Sequence, residues 1–139
     1  MPHDDLPVAE FAFPGPLRDL LVAAILAGRK TTTTCLAMEY EQAGDPLPRP
    51  GEREVVVDSA GREVAVIETT AVQVLRLADV GLAHAVAEGE GHTTVAEWRA
   101  GHESFWHSDE VREEFGDPAF TVNDDTRVVA LAFRLVETL

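Results

Sequence analysis

An extended arm from Glu63 to Leu77 constrains the fold of this chain most. Val64, Val66, Glu68, Thr70, Val72 and Val74 alternate along it, so they fall on one face of a β-strand. The arm is long for a single strand, and a bend or bulge is expected within it. Before it, Glu54 to Asp58 and the turn Ser59-Ala60-Gly61-Arg62 complete a hairpin. Glu68 is the one acid in the apolar row. Ionised carboxylates are rarely buried unpaired. It therefore marks either the place where that face meets solvent or a partner for a buried cation.

The rest of the chain supplies helices and one closing strand. Leu17, Leu20, Leu21, Ala24 and Ile25 recur at helical spacing over residues 16 to 27, with Pro16 suited to the first turn and Gly28 to the stop. Four threonines follow, β-branched and suited to an extended segment. A Pro-rich loop, Gly44 to Gly51, leads into the hairpin. A short helix is expected over Leu82 to Ala87, and Thr94-Val95-Ala96-Glu97 has capping-box spacing. The helix that box starts carries Val95, Trp98, His102 and Phe105 on one face, with Trp106 beside them. An acidic, loosely structured stretch from Ser108 to Asp125 precedes Arg127 to Val136, where Val129, Leu131, Phe133 and Leu135 alternate as a core-facing strand. This order predicts an α+β domain built on a curved sheet or small β-barrel with flanking helices.

At 139 residues and 45% hydrophobic content, the chain suffices for one core without staples. A single cysteine, Cys35, excludes an internal disulfide and a cysteine-cluster zinc site, which suits a reducing, cytoplasmic setting. Met1-Pro2-His3-Asp4-Asp5 lacks the pattern of a signal peptide, and the longest apolar stretch, Leu20 to Ala27, is far short of a membrane span. No membrane partner is expected. The formal net charge is −14, from 25 acids against 11 bases. Nucleic-acid affinity rests on neutralising phosphates with Lys and Arg, so no DNA partner is expected, and a small ligand or short RNA is favoured over a long polymer. Arg18, Arg29 and Lys30 are the candidates for a local basic patch.

Lys30 is the only lysine in the chain. An ammonium can lose its proton when desolvated and a guanidinium cannot, so Lys30 leads the functional candidates. Thr33 stands three residues on. A lysine amine can take the proton of a threonine hydroxyl and make it a nucleophile, provided an irregular junction brings the two together. The alternative is an ordinary edge strand of threonines. Glu88-Gly89-Glu90-Gly91 places two carboxylates on a flexible loop before a helix start, either to engage Lys30 or simply as first-turn acids. Trp98, His102, Phe105, Trp106 and His107 form an aromatic group suited to stacking a base or to filling a core. His102 and His107 diverge on a helix, and no spacing matches a zinc signature, so neither a metal nor another cofactor is expected.

Taken together, several segments resemble the ASCH domain family. They are Ile25 to Thr33 with its Gly-Arg-Lys-Thr core, Met38 to Glu41 with the Pro-rich loop, Val66 to Thr70, Glu88 to Gly91, and Trp98 to His102. The resemblance implies a PUA-like fold over residues 11–139, with 1–10 as an N-terminal extension, and a bacterial relationship. It implies binding of a nucleoside, a modified nucleoside or RNA. One branch looks like an amidohydrolase that deacetylates N4-acetylcytidine, and another has ribonuclease activity. Matched to the amidohydrolase branch, Lys30 is the base, Thr33 the nucleophile, and Glu90 the residue that orients or donates a proton. Thr31, Glu68, Glu88, Trp98, His102 and Phe105 are then the expected ligand-binding residues. An RNA-binding module or ribonuclease is the alternative.

Overall fold

The computed structural model describes residues 5–139; Met1 to Asp4, most of the acidic start, lie outside them. Five strands, β1 (Val8–Ala9), β2 (Thr32–Leu36), β3 (Arg53–Val57), β4 (Glu63–Arg76) and β5 (Arg127–Thr138), form one mixed sheet in the order β1-β3-β4-β5-β2. Five α-helices flank it: α1 (Pro16–Leu26), α2 (Ala37–Ala43), α3 (Leu82–Ala87), α4 (Val95–Trp106) and α5 (Asp109–Phe115). The α+β class and the curved sheet follow the sequence expectation. The sheet stays open, since β1 and β2 occupy its two edges.

β4 is the predicted long arm, and two register shifts interrupt its pairing with β5: at Val66/Ile67 the extra residue is Val136 of β5, and at Thr69/Ala71 it is Thr70 of β4. The extra Thr70 inverts the alternation of β4 beyond it. The uniform apolar face expected from Val64 to Val74 is therefore split: Val66 is buried, whereas Thr70 and Val74 are exposed. β5 lies between β4 and β2, antiparallel to both, and is the central strand of the site-bearing half.

Helix α1 buries part of the expected stripe: Ala24 and Ile25 face inward and Leu21 packs against the core, whereas Leu17 and Leu20 are exposed and Arg18 and Val22 are buried in their place. Arg18 tolerates burial because its guanidinium donates to the carbonyls of Phe11 at 3.2 Å and Ala12 at 2.7 Å. The basic patch of Arg18, Arg29 and Lys30 does not form, because Arg18 and Lys30 are interior.

Two clusters make the core. One, under α1, joins Phe11, Val22, Ile25, Val56, Ala65, Ile67 and Phe133. The other, under α3 to α5, joins Leu36, Leu77, Ala85, Trp98, Trp106, Phe120 and Val128. A fully buried tryptophan removes enough surface to contribute about 4–6 kcal/mol of transfer free energy, so Trp98 anchors the second cluster. The expected capping box at α4 is shifted by one residue. Thr94 Oγ1 accepts from Glu97 N, while the Glu97 carboxylate accepts from Thr93 N and Oγ1. The stretch from Ser108, expected to be loose, contains α5, capped by Ser108 Oγ and carrying the buried Val111.

Candidate functional site

Two turns bring the chemistry together. At the end of α1, Arg29 N and Lys30 N both donate to Ala24 O, so the chain turns sharply before β2 begins. At the end of α3, Thr31 N donates to Ala87 O at 2.9 Å and Thr31 O accepts from Phe133 N at 2.9 Å, which stitches α3, β2 and β5 at one point. Gly89 closes the junction. Its φ is +75°, and a Cβ there would lie 2.6 Å from Arg29 O and 2.8 Å from Lys30 N. Only glycine permits this approach, and it holds the Glu88 to Gly91 loop against the backbone of the Lys30 segment.

Lys30 is 2% exposed. Its ammonium donates to Thr32 O at 2.8 Å, Glu88 Oε1 at 3.2 Å and Glu88 O at 3.4 Å, and lies 5.9 Å from the centroid of the Phe11 ring. Three donors thus meet three acceptors. Of Glu68, Glu88 and Glu90, the one that pairs with Lys30 is Glu88.

Glu88 is the hub, also 2% exposed. Its Oε2 accepts from Thr34 Oγ1 and Trp98 Nε1, both at 2.7 Å, and its carboxylate lies 3.3 Å from His102 Nε2 and 3.5 Å from His84 Nε2. Since the Thr34 hydroxyl already donates to Glu88, it accepts from His84 Nε2 at 2.7 Å. Burial alone would raise the Glu88 carboxyl. Hydrogen bonds from His102 and His84 and the charge of Lys30 outweigh it and hold the carboxyl well below the usual carboxylate range.

His102 Nδ1 lies 2.9 Å from the carbonyl oxygen of Trp98, while Nε2 faces Glu88. Both partners are acceptors, so the arrangement favours the imidazolium, in which both ring nitrogens donate. Burial opposes that charge, but the hydrogen bond and charge of Glu88 raise the His102 pKa above the ordinary histidine value. The ring stacks on Trp98 with centroids 4.3 Å apart.

The cluster borders a groove of about 1080 Å³. Lys30, Thr33, Thr34, Glu88, Glu90, His102 and Phe105 all line it, with the Phe11–Phe13 segment, part of the Pro-rich loop and the half-buried thiol of Cys35. Burial pushes that thiol up to about 12, so it is a neutral wall. Thr33 and Lys30 share no hydrogen bond among the described residues. Glu90 is exposed, on a loop whose flanking glycines have φ of +75° and +87°.

Three residues expected to bind ligand lie elsewhere. Trp98 is 0% exposed and holds Glu88 rather than offering a face to the groove. Glu68 is outside the groove lining, between Arg53 at 3.0 Å and Arg134 at 3.2 Å. Thr31 also lies outside it and contributes through its backbone. Thr34, His84 and His92 are the residues that sequence reasoning missed. Alternation with Thr32 marks the side of β2 that meets α3, and His84 stands four residues before Glu88 on one face of that helix, a spacing legible in hindsight. His92 lines the groove with a buried Nδ1 that has no partner.

Glu88, Glu90 and His102 each bring one donor atom within 4.8 Å of the others. These residues do not fit a cation well. Glu88 already accepts from Lys30, Thr34 and Trp98, and the His102 nitrogen facing it carries a proton. Among the described residues, no helix is long and apolar enough to cross a membrane.

Known proteins share this architecture. A crystal structure of a protein from Enterococcus faecalis V583 superposes with a TM-score of 0.82 at 24% identity, covering 95% of this chain and 77% of that one. An ASCH domain from Lactobacillus crispatus JV V101 gives a TM-score of 0.76 at 25% identity, covering 93% of this chain and 79% of that one. A mutant ASCH protein from Zymomonas mobilis gives 0.53 at 12% identity, covering 95% and 73%, and shares the fold alone. No curated protein matches the sequence. The ASCH domain family model matches residues 10–137. A match over nearly the whole sequence, with the PUA-like α+β fold, establishes that the chain belongs to the ASCH domain family.

Proposed function

We propose that the groove takes a phosphate-free nucleoside bearing an N-acyl group, of the N4-acetylcytidine type, and that the protein hydrolyses the amide. The observation that carries the ligand class is the state of the groove's cations. Eight lining side chains are Asp or Glu, against the four permanent cations Arg18, Lys30, Arg49 and Arg53. Lys30 is tied to Glu88, Arg18 to buried carbonyls, and Arg53 to Glu68. Arg49 alone is left for a phosphate, so a polyanion would meet mostly carboxylates, and a neutral nucleoside suits the groove better. Phe105 and the Phe11–Phe13 segment offer apolar area for a base.

In this reading the Thr33 hydroxyl attacks the acyl carbon and its proton passes to Lys30. The C–N bond breaks, the amine leaves with a proton directed by Glu90, and water cleaves the resulting ester to release the acid. Lys30 must first lose a proton to solvent, leaving an amine that donates two hydrogen bonds and offers a lone pair to the threonine proton, which it then returns to the leaving amine. Glu88 fixes its position, and Glu90, exposed on the glycine-flanked loop, is the carboxylate free to follow the substrate.

The test is release of cytidine from N4-acetylcytidine by the purified protein, with Lys30→Arg alongside. Arginine keeps the charge and cannot act as a base. Turnover by the wild type that is insensitive to salt and absent in the variant is the expected result. An inert wild type sinks the amidohydrolase reading and moves the groove to RNA binding or cleavage, for which affinity should fall steeply as salt rises.

A further inference from the structure

Building on the nucleoside reading above, we propose that Glu54 receives the ribose of the bound nucleoside and makes the groove select ribonucleosides over their 2′-deoxy counterparts.

The sheet brings Glu54 to the same side as the candidate nucleophile. Thr33 lies opposite Leu131, Thr69 opposite Phe133, Ile67 opposite Leu135, and Glu54 opposite Ile67. Residues paired directly across strands share a face, and so do residues two apart along β5. Thr33 of β2 and Glu54 of β3 therefore stand on one face, and both line the groove.

Glu54 differs from the other acids of the groove in its surroundings. Glu10 pairs with Arg18, Glu39 accepts from Leu36 N, Glu52 accepts from Arg49 N, and Glu88 is held by its cluster. Asp45, Glu90 and Glu114 are exposed, so water serves them. Glu54 is half-buried, and among the described residues no side-chain hydrogen bond or ion pair holds its carboxylate. Burial raises its carboxyl, and the charge of Glu52 adds to this. A carboxylate stripped of water and left without donors is costly, and a ligand that brings donors relieves the cost.

Position along the groove selects the sugar as that ligand group. Thr31 lies outside the lining whereas Thr33 and Cys35 lie within it, so along β2 the groove runs from the nucleophile toward Cys35, about 7 Å further on. One pyrimidine covers that length, from an acyl carbon at Thr33 to the sugar carbon that bears the base. At Cys35 the lining becomes polar. The Tyr40 hydroxyl donates to Cys35 Sγ, and the charge of Glu54 acts on both, so β3 approaches β2 here although β4 and β5 separate them in the sheet. The base of an N4-acylated cytidine offers a single N–H and otherwise acceptors. Its ribose offers two neighbouring hydroxyls, and a carboxylate has two oxygens to accept from them, the pairing that also holds ribose in dinucleotide-binding folds.

The test is equilibrium binding of cytidine and of 2′-deoxycytidine, followed by NMR titration, to the wild type and to Glu54→Gln; it needs no turnover. Expected are a wild-type preference for cytidine of about 10–100-fold, as for hydrogen bonds to a charged group, and near-equal binding by Glu54→Gln, with an unfolding midpoint unchanged or raised. With N4-acetylcytidine as substrate, the variant should raise KM by a similar factor and lower kcat far less, because the sugar contact is as strong before the transition state as in it. A preference for cytidine in a wild type that does not hydrolyse N4-acetylcytidine would sink the amidohydrolase reading and leave the Glu54 assignment standing. Equal binding of the two nucleosides, binding of neither, a preference that survives in Glu54→Gln, or a loss confined to kcat overturns the proposal.

Discussion

Glu88 and Glu68 hold the same kind of side chain among cations and do opposite work. Glu88 is sealed in the interior among Lys30, His102, His84, Thr34 and Trp98. Glu68 lies on the sheet surface between two arginines whose side chains are open to water. Its carboxyl is also held below the usual range, by hydrogen bonds from Arg53 and Arg134, yet water competes for every partner. What separates the two is solvent rather than charge count. In the interior each lost partner leaves a stranded group, whereas at the surface water takes its place.

Removing the interior charge is the strongest test of that contrast. Glu88→Gln leaves the Lys30 ammonium buried without its counter-ion, and a loss of about 3–5 kcal/mol in urea unfolding is expected. A loss below ~1 kcal/mol would mean that water enters the cluster, and the contrast with Glu68 would fail. Gly89→Ala is next. It attacks the same cluster through shape, since the added methyl meets the Arg29 carbonyl at 2.6 Å in a left-handed backbone. About 2–4 kcal/mol of destabilisation is expected, with loss of turnover if the Lys30 reading holds.

The pH dependence is a finer probe. His102 has a folded pKa raised above its ordinary 6.5, so its contribution is full below that value and is lost as pH rises through the folded pKa. Glu88 is depressed, so its contribution is present above 4.5 and is lost progressively as pH falls below it. Stability from the cluster should therefore be greatest between these limits. Proton NMR of His102 checks the first half directly, with a titration midpoint above 6.5 expected, and Glu88→Gln should move it down. The smallest effect is expected of Glu68→Gln, which should leave the unfolding midpoint within error. A marked drop there would show that the surface network is stronger than its exposure allows.

The sequence carried the fold further than the site. Alternation along Val64 to Val74 and Val129 to Leu135 marked β4 and β5, because strand period is a local property. The extra residues, Thr70 in β4 and Val136 in β5, depend on how the two strands pair, and no local pattern reports that. Lys30 stood out by its rarity and was found buried at the cluster. Its partner was harder to read, since Glu88 and Glu90 differ only in which way a glycine-flanked turn aims them. Thr34 and His84 escaped notice because they meet 50 residues apart in sequence. The face of α1 was legible only in part, with Ala24 and Ile25 inward as expected but Leu17 and Leu20 exposed, for a similar reason. Arg18 is buried by carbonyls supplied from the Phe11–Ala12 segment, an arrangement that hydrophobic spacing does not register.

The position of β5 also has a consequence for how the molecule is made. β2 pairs with β5 alone, and β5 is the last strand in chain order. While the polypeptide is being synthesised, the β3–β4 hairpin can close early, but the threonine strand beside Lys30 has nothing to pair with until residues beyond Arg127 have emerged. The Lys30–Glu88 cluster is thus assembled among the last events of folding, and its protection from hydrogen exchange should appear only after that of the hairpin.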